Sequence, residues 1–483
     1  MVTGTVARGP GTFAGMSGEA IHYDLVIIGT GSGNSILDGR FAGWKTAIVE
    51  KGVFGGTCLN VGCIPTKMFV HTADIAATPA KSSLFGVDET LDGVRWTDVR
   101  DRIFGRIDPI AAGGREYRIS HEDNAGVTVH EGEGRFVGHK ELRVTYSDGR
   151  EPVTITADKF VLAAGGRAVA PDVPGLDEVP YYTSDTVMRL DELPSRMVIL
   201  GSGFIAAEFA HVFASFGVEV TMIARSGALL RAEDADISER FTELASGRFD
   251  VRLHRKTLRA RKTGTGVALD LEGPEGAETV EAGVLLVATG RKPNSDLLDV
   301  AATGVSTLDS GHVVADEYQE TSVEGIYALG DMSSTYELKH VANHESRVVQ
   351  HNLLNPEDRI AADHRFVPHA VFSSPQIASV GLTEAQAADR GIRFVTSKQD
   401  YAGIAYGWAL EDTSGFAKLL ADPATGQLLG AHIIGPQAPT VIQPLIQAMS
   451  FGLDARSMAR GQYWIHPAMP ELIENALLNL ELD

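Results

Sequence analysis

The chain has 483 residues and a formal net charge of −21, with only two cysteines in the whole sequence. This acidic balance argues against a broad nucleic-acid surface, because binding phosphates requires clustered cations. There is no run of 18 or more apolar residues, as an ordinary transmembrane helix would need. A soluble, cytoplasmic enzyme is expected, and at roughly 150 residues per domain the length predicts about three domains.

Residues 1–22 are rich in glycine and lack the apolar segment of a signal peptide. This composition predicts a disordered leader. The structured part of the chain is therefore expected to begin at residue 23.

Two segments, 23–50 and 196–225, share the order strand, glycine-rich turn, helix and strand. The turn of the first segment contains Gly29, Gly31 and Gly33. A helix is expected in SILDGRFAG, and Glu50 ends the second strand. Such a turn lets backbone N–H groups reach a pyrophosphate, and an acid about 20 residues further on accepts hydrogen bonds from ribose. The two segments predict two dinucleotide-binding domains of the Rossmann type.

The second unit differs from the first in its charges. Gly201 and Gly203 form its turn, but no acid follows its second strand, where Arg225 and Arg231 stand instead. An acid holds a ribose 2′-hydroxyl, whereas arginines accommodate a 2′-phosphate. A single arginine at this place would indicate only a solvated surface charge. Two arginines without an acid predict NADPH over NADH.

The first dinucleotide-binding domain is expected to be interrupted by the second. VLAAGG at 161–166 leads into the second domain, LLVATGRKPN at 285–294 leads back, and GIYALGD at 325–331 supplies another strand of the first. A hairpin at 417–435 and two helical patterns after it predict an α+β domain for association. The expected limits are 23–166 and 295–365 for the first domain, 167–294 for the second, and 366–483 for the interface domain.

Cys58 and Cys63 both lie in the glycine-rich stretch GGTCLNVGCIPTK, with Pro65 suited to the first turn of a helix. The dipole of a helix N-terminus stabilises a thiolate, which is the reactive form. A secreted disulfide scaffold would have more cysteines, and a zinc site more ligands nearby. Two buried structural thiols are the alternative, but this alternative does not account for the surrounding glycines. The stretch therefore predicts a redox-active pair.

His466-Pro467 precedes Glu471 near the end of the chain. Histidine transfers protons near neutral pH, and a carboxylate fixes its tautomer. The chain has fifteen histidines, so this spacing by itself leaves an ordinary core or surface histidine open.

Taken in order, GGTCLNVGCIPTK, the two glycine turns, ATGRKPN, GIYALGD and the C-terminal HPAMPE resemble the class I pyridine nucleotide–disulfide oxidoreductases. The resemblance runs from about residue 22 to the C-terminus. It implies a glutathione reductase-like α/β fold, with two Rossmann-like dinucleotide-binding domains and a C-terminal α+β dimerisation domain. It also implies FAD in the first domain, NADPH in the second, a small-molecule disulfide substrate, a homodimer and no metal.

The resemblance implies a role for each catalytic position. Cys58 is expected to attack the substrate disulfide, and Cys63 is expected to face the flavin. His466 and Glu471 match an acid–base pair that the other subunit supplies in this family. The active site would then be shared between the subunits.

The resemblance also implies the cofactor contacts. Lys67 is expected near flavin N5 and paired with Glu208, and Phe204 is expected as a gate over the nicotinamide pocket. The expected FAD contacts are Gly29, Gly31, Ser32, Gly33 and Glu50 at the ADP end, Gly134, Ala163 and Gly165 beside the adenosine, and Asp331 at the ribityl chain. Further cofactor contacts are expected at Lys51, Gly56, Thr57, Gly201, Gly203, Ile205, Arg225, Arg231, Gly290, Leu338 and His340.

The range of possible substrates is narrowed by residues that the sequence lacks. Mercuric reductases carry an additional C-terminal cysteine pair, which is absent here. Glutathione reductases hold a glycine carboxylate with an arginine on the first helix, where this chain has only Arg40 nearby. Residues 400–412 and HPAMPELIENALL resemble a branch that reduces the disulfide of a cysteinyl pseudo-disaccharide, which has no carboxylate to clamp. That substrate is expected. A dihydrolipoamide dehydrogenase, a glutathione reductase-like enzyme and a flavoprotein redox sensor are the alternatives.

Overall fold

The computed structural model describes residues 20–264 and 266–483. The strands in these residues are β1 Ile21–Ile28, β2 Thr46–Val49, β3 Val127–His130, β4 Glu133–Gly138, β5 Glu141–Thr145, β6 Val153–Leu162, β7 Gly166–Ala168, β8 Arg196–Leu200, β9 Glu219–Ile223, β10 Asp250–Arg252, β11 Lys256–Lys262, β12 Val267–Gly273, β13 Gly276–Ala282, β14 Val284–Val287, β15 Arg291–Pro293, β16 Ile326–Ala328, β17 His369–Val371, β18 Ile377–Gly381, β19 Val395–Asp400, β20 Phe416–Ala421 and β21 Leu428–Ile434. The α-helices are α1 Gly56–Asn60, α2 Cys63–Ala77, α3 Pro79–Ser82, α4 Trp96–Ser120, α5 Phe204–Ser215, α6 Ala235–Ser246, α7 Ser295–Leu298, α8 Lys339–Leu354, α9 Glu384–Asp389, α10 Ala405–Ala409, α11 Ala438–Val441, α12 Gln443–Phe451, α13 Ala455–Arg460 and α14 Glu471–Leu478.

Strand β1 begins two residues before the expected start at residue 23. Ile21 and His22 pair in register with β6, and His22 Nδ1 lies 3.0 Å from Thr156 Oγ1. The predicted leader of residues 1–22 is therefore too long by these two residues, which the ladder to β6 holds in place. Residues 1–19 lie outside the described residues.

The first sheet has the order β3-β2-β1-β6-β5-β4, and β16 lies beside the end of β6. Strands β3, β2, β1, β6 and β16 are parallel, whereas β5 and β4 run antiparallel to their neighbours. Leu25 to Ile28 in β1 are buried, as expected for a parallel strand covered on both faces. Ligands of such sheets bind outside the carboxyl ends of the strands.

The second sheet is parallel throughout, with the order β10-β9-β8-β14, and an antiparallel sheet of β11, β12 and β13 accompanies it. The chain enters and leaves this part through β7 and β15, which pair with each other. Strand β16 then returns to the first sheet. One dinucleotide-binding unit is therefore inserted into the other.

The helix expected after the first glycine turn is not formed. Two short 3-10 helices, Ser32–Ile36 and Gly39–Phe41, stand in its place. The Asp38 carboxylate accepts a hydrogen bond from the backbone N–H of Arg40 and caps the second of them. Such local side-chain bonds offer the backbone an alternative to helix, so the prediction over SILDGRFAG is wrong.

The helix that begins at Cys63, α2, packs against α5 of the second unit and against α4. The ring of Phe69 on α2 stacks on Trp96 at a centroid distance of 5.3 Å. The Trp96 indole N–H donates to the carbonyl of Leu190 at 2.7 Å, which satisfies this buried polar group. The cysteine helix is thereby fixed between the two dinucleotide-binding units.

The C-terminal part contains an antiparallel sheet with the order β17-β18-β21-β20-β19. The expected hairpin at 417–435 is present as β20 and β21. Side chains of this sheet form one apolar core with those of α11 to α14. The predicted fold class is confirmed, with two Rossmann-like units and a C-terminal α+β part.

Candidate active site

A cleft of about 1450 Å³ runs from the first glycine turn, past the cysteines, to the N-terminus of α5. The predicted site residues that line it are Gly29, Gly31, Ser32, Glu50, Lys51, Gly56, Thr57, Cys58, Cys63, Lys67, Gly134, Ala163, Gly165, Phe204, Ile205, Glu208, Asp331, Leu338 and His340. Those that do not line it are Gly33, Gly201, Gly203, Arg225, Arg231, Gly290, His466 and Glu471.

The first glycine turn lies in close contact with the end of β6 and with the cysteine loop. Gly29 has a φ of +104°, and a Cβ there would collide with the carbonyl of Ala163. A Cβ on Gly56 would lie 2.7 Å from the Cα of Gly31. Only glycine tolerates these approaches, and the bare backbone leaves room for a pyrophosphate at the turn.

Glu50 is held in place by the same turn. Its carboxylate accepts hydrogen bonds from the backbone N–H of Thr30 at 2.9 Å, the hydroxyl of Thr30 at 2.7 Å and the N–H of Gly52 at 2.8 Å. The Thr30 hydroxyl also accepts from the N–H of Gly55 at 3.1 Å. The sequence analysis did not name Thr30 as a site residue. Its position inside the glycine turn could have identified it.

The turn that follows β16 brings a second acid to the cleft. Burial raises the pKa of Asp331. The preceding N–H, of Gly330, donates at 2.6 Å to Glu345, a fully buried carboxylate on α8 that sequence reasoning missed. The glycine turn, Glu50 and Asp331 line one continuous cleft. These residues fit an adenosine, a diphosphate and a ribityl chain.

Cys58 and Cys63 are free thiols that face the cleft, and Cys63 is the more exposed of the two. The pKa of Cys58 is lowered to about 7, chiefly because the Cys63 thiol donates a hydrogen bond to it. The positive charge of Lys339 and the N–H groups of Cys63 and Ile64, at the start of α2, lower it further against the effect of burial. The pKa of Cys63 is raised because Cys63 donates that bond, because its thiol is partly desolvated in the cleft and because the Cys58 thiolate lies beside it. Cys58 is thus the thiol that ionises first.

Lys67 and Glu208 both line the cleft, but the expected ion pair between them is not formed. The Glu208 carboxylate accepts the backbone N–H of Phe372 at 2.8 Å, and the Lys67 ammonium lies 4.2 Å from the centre of the Phe372 ring. Burial raises the pKa of Glu208 to about 7, so this acid is only partly ionised at neutral pH. Glu208 thus binds the backbone of Phe372, and Lys67 lies over the ring of the same residue.

The second glycine turn lies against the segment that carries the arginines. Gly203 directly precedes α5, and the N–H of Leu230 donates to the carbonyl of Ser202 at 2.8 Å. This bond brings Arg231 beside the turn, while Arg225 follows the end of β9. Both arginines are exposed. The arrangement fits a dinucleotide that carries a 2′-phosphate.

His466 and Glu471 form a close pair away from the cleft of their own chain. The Nδ1 atom of His466 lies 2.6 Å from a carboxylate oxygen of Glu471, the first residue of α14. The His466 side chain is 69% exposed, whereas that of Glu471 is 17% exposed. The pair thus presents one open imidazole nitrogen at the protein surface.

The described residues contain no helix that is long and apolar enough to cross a membrane. Across residues 20–264 and 266–483, no group of three or more His, Cys, Asp or Glu side chains is placed to hold a metal ion.

The sequence matches the pyridine nucleotide-disulphide oxidoreductase family over residues 18–346 and the dimerisation domain of these enzymes over residues 367–477. The chain belongs to this family. It is 55% identical over 462 residues to the mycothione reductase of Mycobacterium tuberculosis strain H37Rv, covering 95% of this chain and 99% of that protein. It is 34% identical over 468 residues to the dihydrolipoyl dehydrogenase of Corynebacterium glutamicum, covering 94% of this chain and 97% of that protein.

Solved structures show the same fold. The HOCl-induced flavoprotein disulfide reductase RclA from Escherichia coli superposes with a TM-score of 0.81 at 27% identity, covering 95% of this chain and 100% of that one. The predicted family, the enzyme class and the two cofactors, FAD and NADPH, are confirmed by the family membership. The dimerisation domain and the relatives also confirm a homodimer that acts on a small-molecule disulfide.

We expect Cys63→Ala to raise the pH at which Cys58 becomes reactive, from about 7 towards the ordinary thiol value of about 8.5. The reason is that alanine removes the thiol that donates to the Cys58 thiolate. The measurement is the rate of alkylation of Cys58 by iodoacetamide in the reduced enzyme across pH, followed by peptide mass spectrometry. Cys63→Ser keeps a hydroxyl donor and should shift the midpoint less. An unchanged midpoint in Cys63→Ala would contradict the assignment of the low pKa to this bond.

Proposed function

We propose that this enzyme reduces mycothione, the disulfide of mycothiol, with electrons from NADPH. The observation that carries the proposal is the 55% identity to a mycothione reductase over nearly the whole of both chains. Arg40 supports it, because this cation pairs with Asp38 on the exposed surface and does not line the cleft that holds the cysteines. No clamp is needed for a cysteinyl pseudo-disaccharide.

The proposed domain assignment follows the path of the chain through the sheets. Residues 23–166, extended to Ile21 by the pairing of β1 with β6, and residues 295–365 form the FAD-binding domain, 167–294 the NADPH-binding domain and 366–483 the interface domain. The pairing of β16 with β6 and of β7 with β15 supports these limits. The family places FAD at the first glycine turn and NADPH at the second, and the predicted contact residues keep the roles given to them above.

The two cysteines have separate roles in the proposed reaction. The Cys58 thiolate attacks one sulfur of the substrate disulfide, so a mixed disulfide forms and one substrate thiolate leaves. The Cys63 sulfur then attacks the Cys58 sulfur, the second substrate group departs and takes up the proton that Cys63 loses, and the Cys58–Cys63 disulfide closes. Bound FAD supplies the two electrons, taken from NADPH, that reopen this disulfide. The lowered pKa of Cys58 supports its assignment as the attacking thiol.

We assign the protonation of the leaving thiolate to His466, oriented by Glu471. In the described chain this histidine is exposed and does not line the cleft that holds Cys58. The proposal therefore places it in the cleft of the partner subunit, so that each active site is built from both chains. The site is proposed to be metal-free. A cytoplasmic location is proposed as well, since the thiol pair has to be kept reducible.

A substrate panel tests the proposed function. With NADPH, we expect kcat/KM for mycothione to exceed that for glutathione disulfide, trypanothione and lipoamide by at least about 100-fold, because a polar substrate is selected by groups that its analogues leave unpaired. The measurement is NADPH oxidation at steady state, repeated with NADH. A preference for lipoamide with NADH would instead identify a dihydrolipoyl dehydrogenase. No turnover of any disulfide by the FAD-replete dimer would favour a redox sensor.

Mixed dimers test the shared active site. We expect Cys58→Ser and His466→Ala each to lower turnover by at least about 100-fold as homodimers, since each removes a nucleophile or a general acid. A tagged heterodimer of the two variants should regain activity, because one of its sites keeps both groups intact. The matched control is a heterodimer of Cys58→Ser with Cys63→Ser, in which both clefts stay damaged. If the first heterodimer stayed inactive, both groups would belong to one subunit's site.

The arginines are tested by coenzyme kinetics. We expect the double variant Arg225→Ala/Arg231→Ala to raise KM for NADPH about 10-fold or more, because charge-assisted contacts to the 2′-phosphate are lost, and to leave KM for NADH unchanged. The exposed Arg259, on β11 of the same part of the chain, gives the control variant Arg259→Ala. Equal changes for both coenzymes would show that the two arginines do not read the phosphate.

A further inference from the structure

Lys339 is the first residue of α8 and reaches into the FAD end of the cleft. Its ammonium group donates a hydrogen bond to the hydroxyl of Ser32 at 2.7 Å. Ser32 in turn donates to the side-chain carbonyl of Asn343, one turn further along α8, at 3.1 Å. No motif in the sequence singles out Lys339, and its two chain neighbours, Leu338 and His340, were the residues expected to contact cofactor.

The position is electrostatically unfavourable for a lysine unless an anion is present. The N-terminus of a helix carries a partial positive charge, so a cation in the first turn destabilises the helix. The first turn of α8 has no acidic residue to offset the charge. Lys339 is half-buried, and its hydrogen-bonded partner among the described residues is a neutral hydroxyl. A partly desolvated ammonium group needs a counter-charge.

The contact with Ser32 shows where that counter-charge belongs. Ser32 lies in the first glycine turn, between Gly31 and Gly33, and lines the same cleft as Lys339. The N-terminus of α8, the ammonium group of Lys339 and the first glycine turn therefore meet in the cleft. A diphosphate is the anion that such a turn receives.

We propose that Lys339 is a cofactor-binding residue whose ammonium group neutralises the diphosphate of FAD. Ser32 and Asn343 act as positioning residues that aim the lysine side chain at the turn. The charge of Lys339 also reaches the redox pair, since it lowers the pKa of both cysteine thiols. The same cation thus serves the diphosphate site and the thiolate. The inference rests on the proposed binding of FAD at the first glycine turn. The affinity of the wild-type protein for FAD, measured in the same experiment, tests that assignment.

The test is the affinity of the full-length chain for FAD and for ADP. We expect Lys339→Met to raise the Kd of FAD by about 10-fold or more at low salt, because a charged hydrogen bond to a phosphate is lost. The Kd of ADP, which shares the diphosphate, should rise by a similar factor. Both effects should shrink at high ionic strength, where the charge is screened. Released flavin is measured by fluorescence and ADP binding by calorimetry.

Matched variants separate the proposed role from a structural one. Arg347→Met removes an exposed cation from the same helix and should leave both affinities unchanged. Lys339→Arg keeps the charge and should restore most of the binding. Lys339→Gln replaces Lys339→Met if the methionine variant does not fold, as judged by circular dichroism. Unchanged ADP binding in a folded variant, with or without a change for FAD, would overturn the proposal. Failure of the wild type to bind FAD would overturn the cofactor assignment instead.

Discussion

A side chain on Gly56 would come within 2.7 Å of the Cα of Gly31. This backbone contact joins the loop that leads to the cysteines to the first glycine turn, and the hydrogen bond from Gly55 to Thr30 reinforces it. The same turn is pressed against the end of β6 at Ala163. As a result, the first glycine turn, the cysteine loop and the carboxyl end of β6 keep fixed relative positions, and the two cysteines lie close to the first glycine turn.

The helix α2 adds the second fixed relationship. Its start supplies the N–H groups that stabilise the Cys58 thiolate, and its apolar face packs against α5 of the second unit. The thiol pair therefore lies where the two dinucleotide-binding units meet, which is the place where electrons have to pass between them. The hydrogen bond between the thiols makes them unequal before any substrate arrives. The pKa of Cys58 is lowered and that of Cys63 is raised, which supports the proposed roles of Cys58 as the attacking thiol and Cys63 as the resolving thiol.

Most of the architecture could be predicted from the sequence, because it rests on local signals. Glycine turns between apolar strands, the hairpin of β20 and β21 and the cysteine stretch all have strong short-range patterns. The two short 3-10 helices that follow the first glycine turn could not be predicted. The Asp38 side chain caps the second of them, and a helix pattern in the sequence does not show this contact. The composition of residues 1–22 predicts a leader, and it does not reveal that Ile21 and His22 pair with β6, because that strand lies more than a hundred residues away.

The candidate active site shows the same difference between local sequence patterns and long-range contacts. The sequence by itself determined the two glycine turns between strands, and it predicted a redox-active cysteine pair, since these features depend on spacing within a few residues. Only the tertiary structure decided which side chains meet. Burial raises the pKa of Glu208, and its carboxylate accepts the backbone N–H of Phe372 rather than pairing with Lys67. The fold also brings Lys339 to Ser32 from 307 positions away. Such contacts depend on the packing of the whole chain, and no local pattern records them.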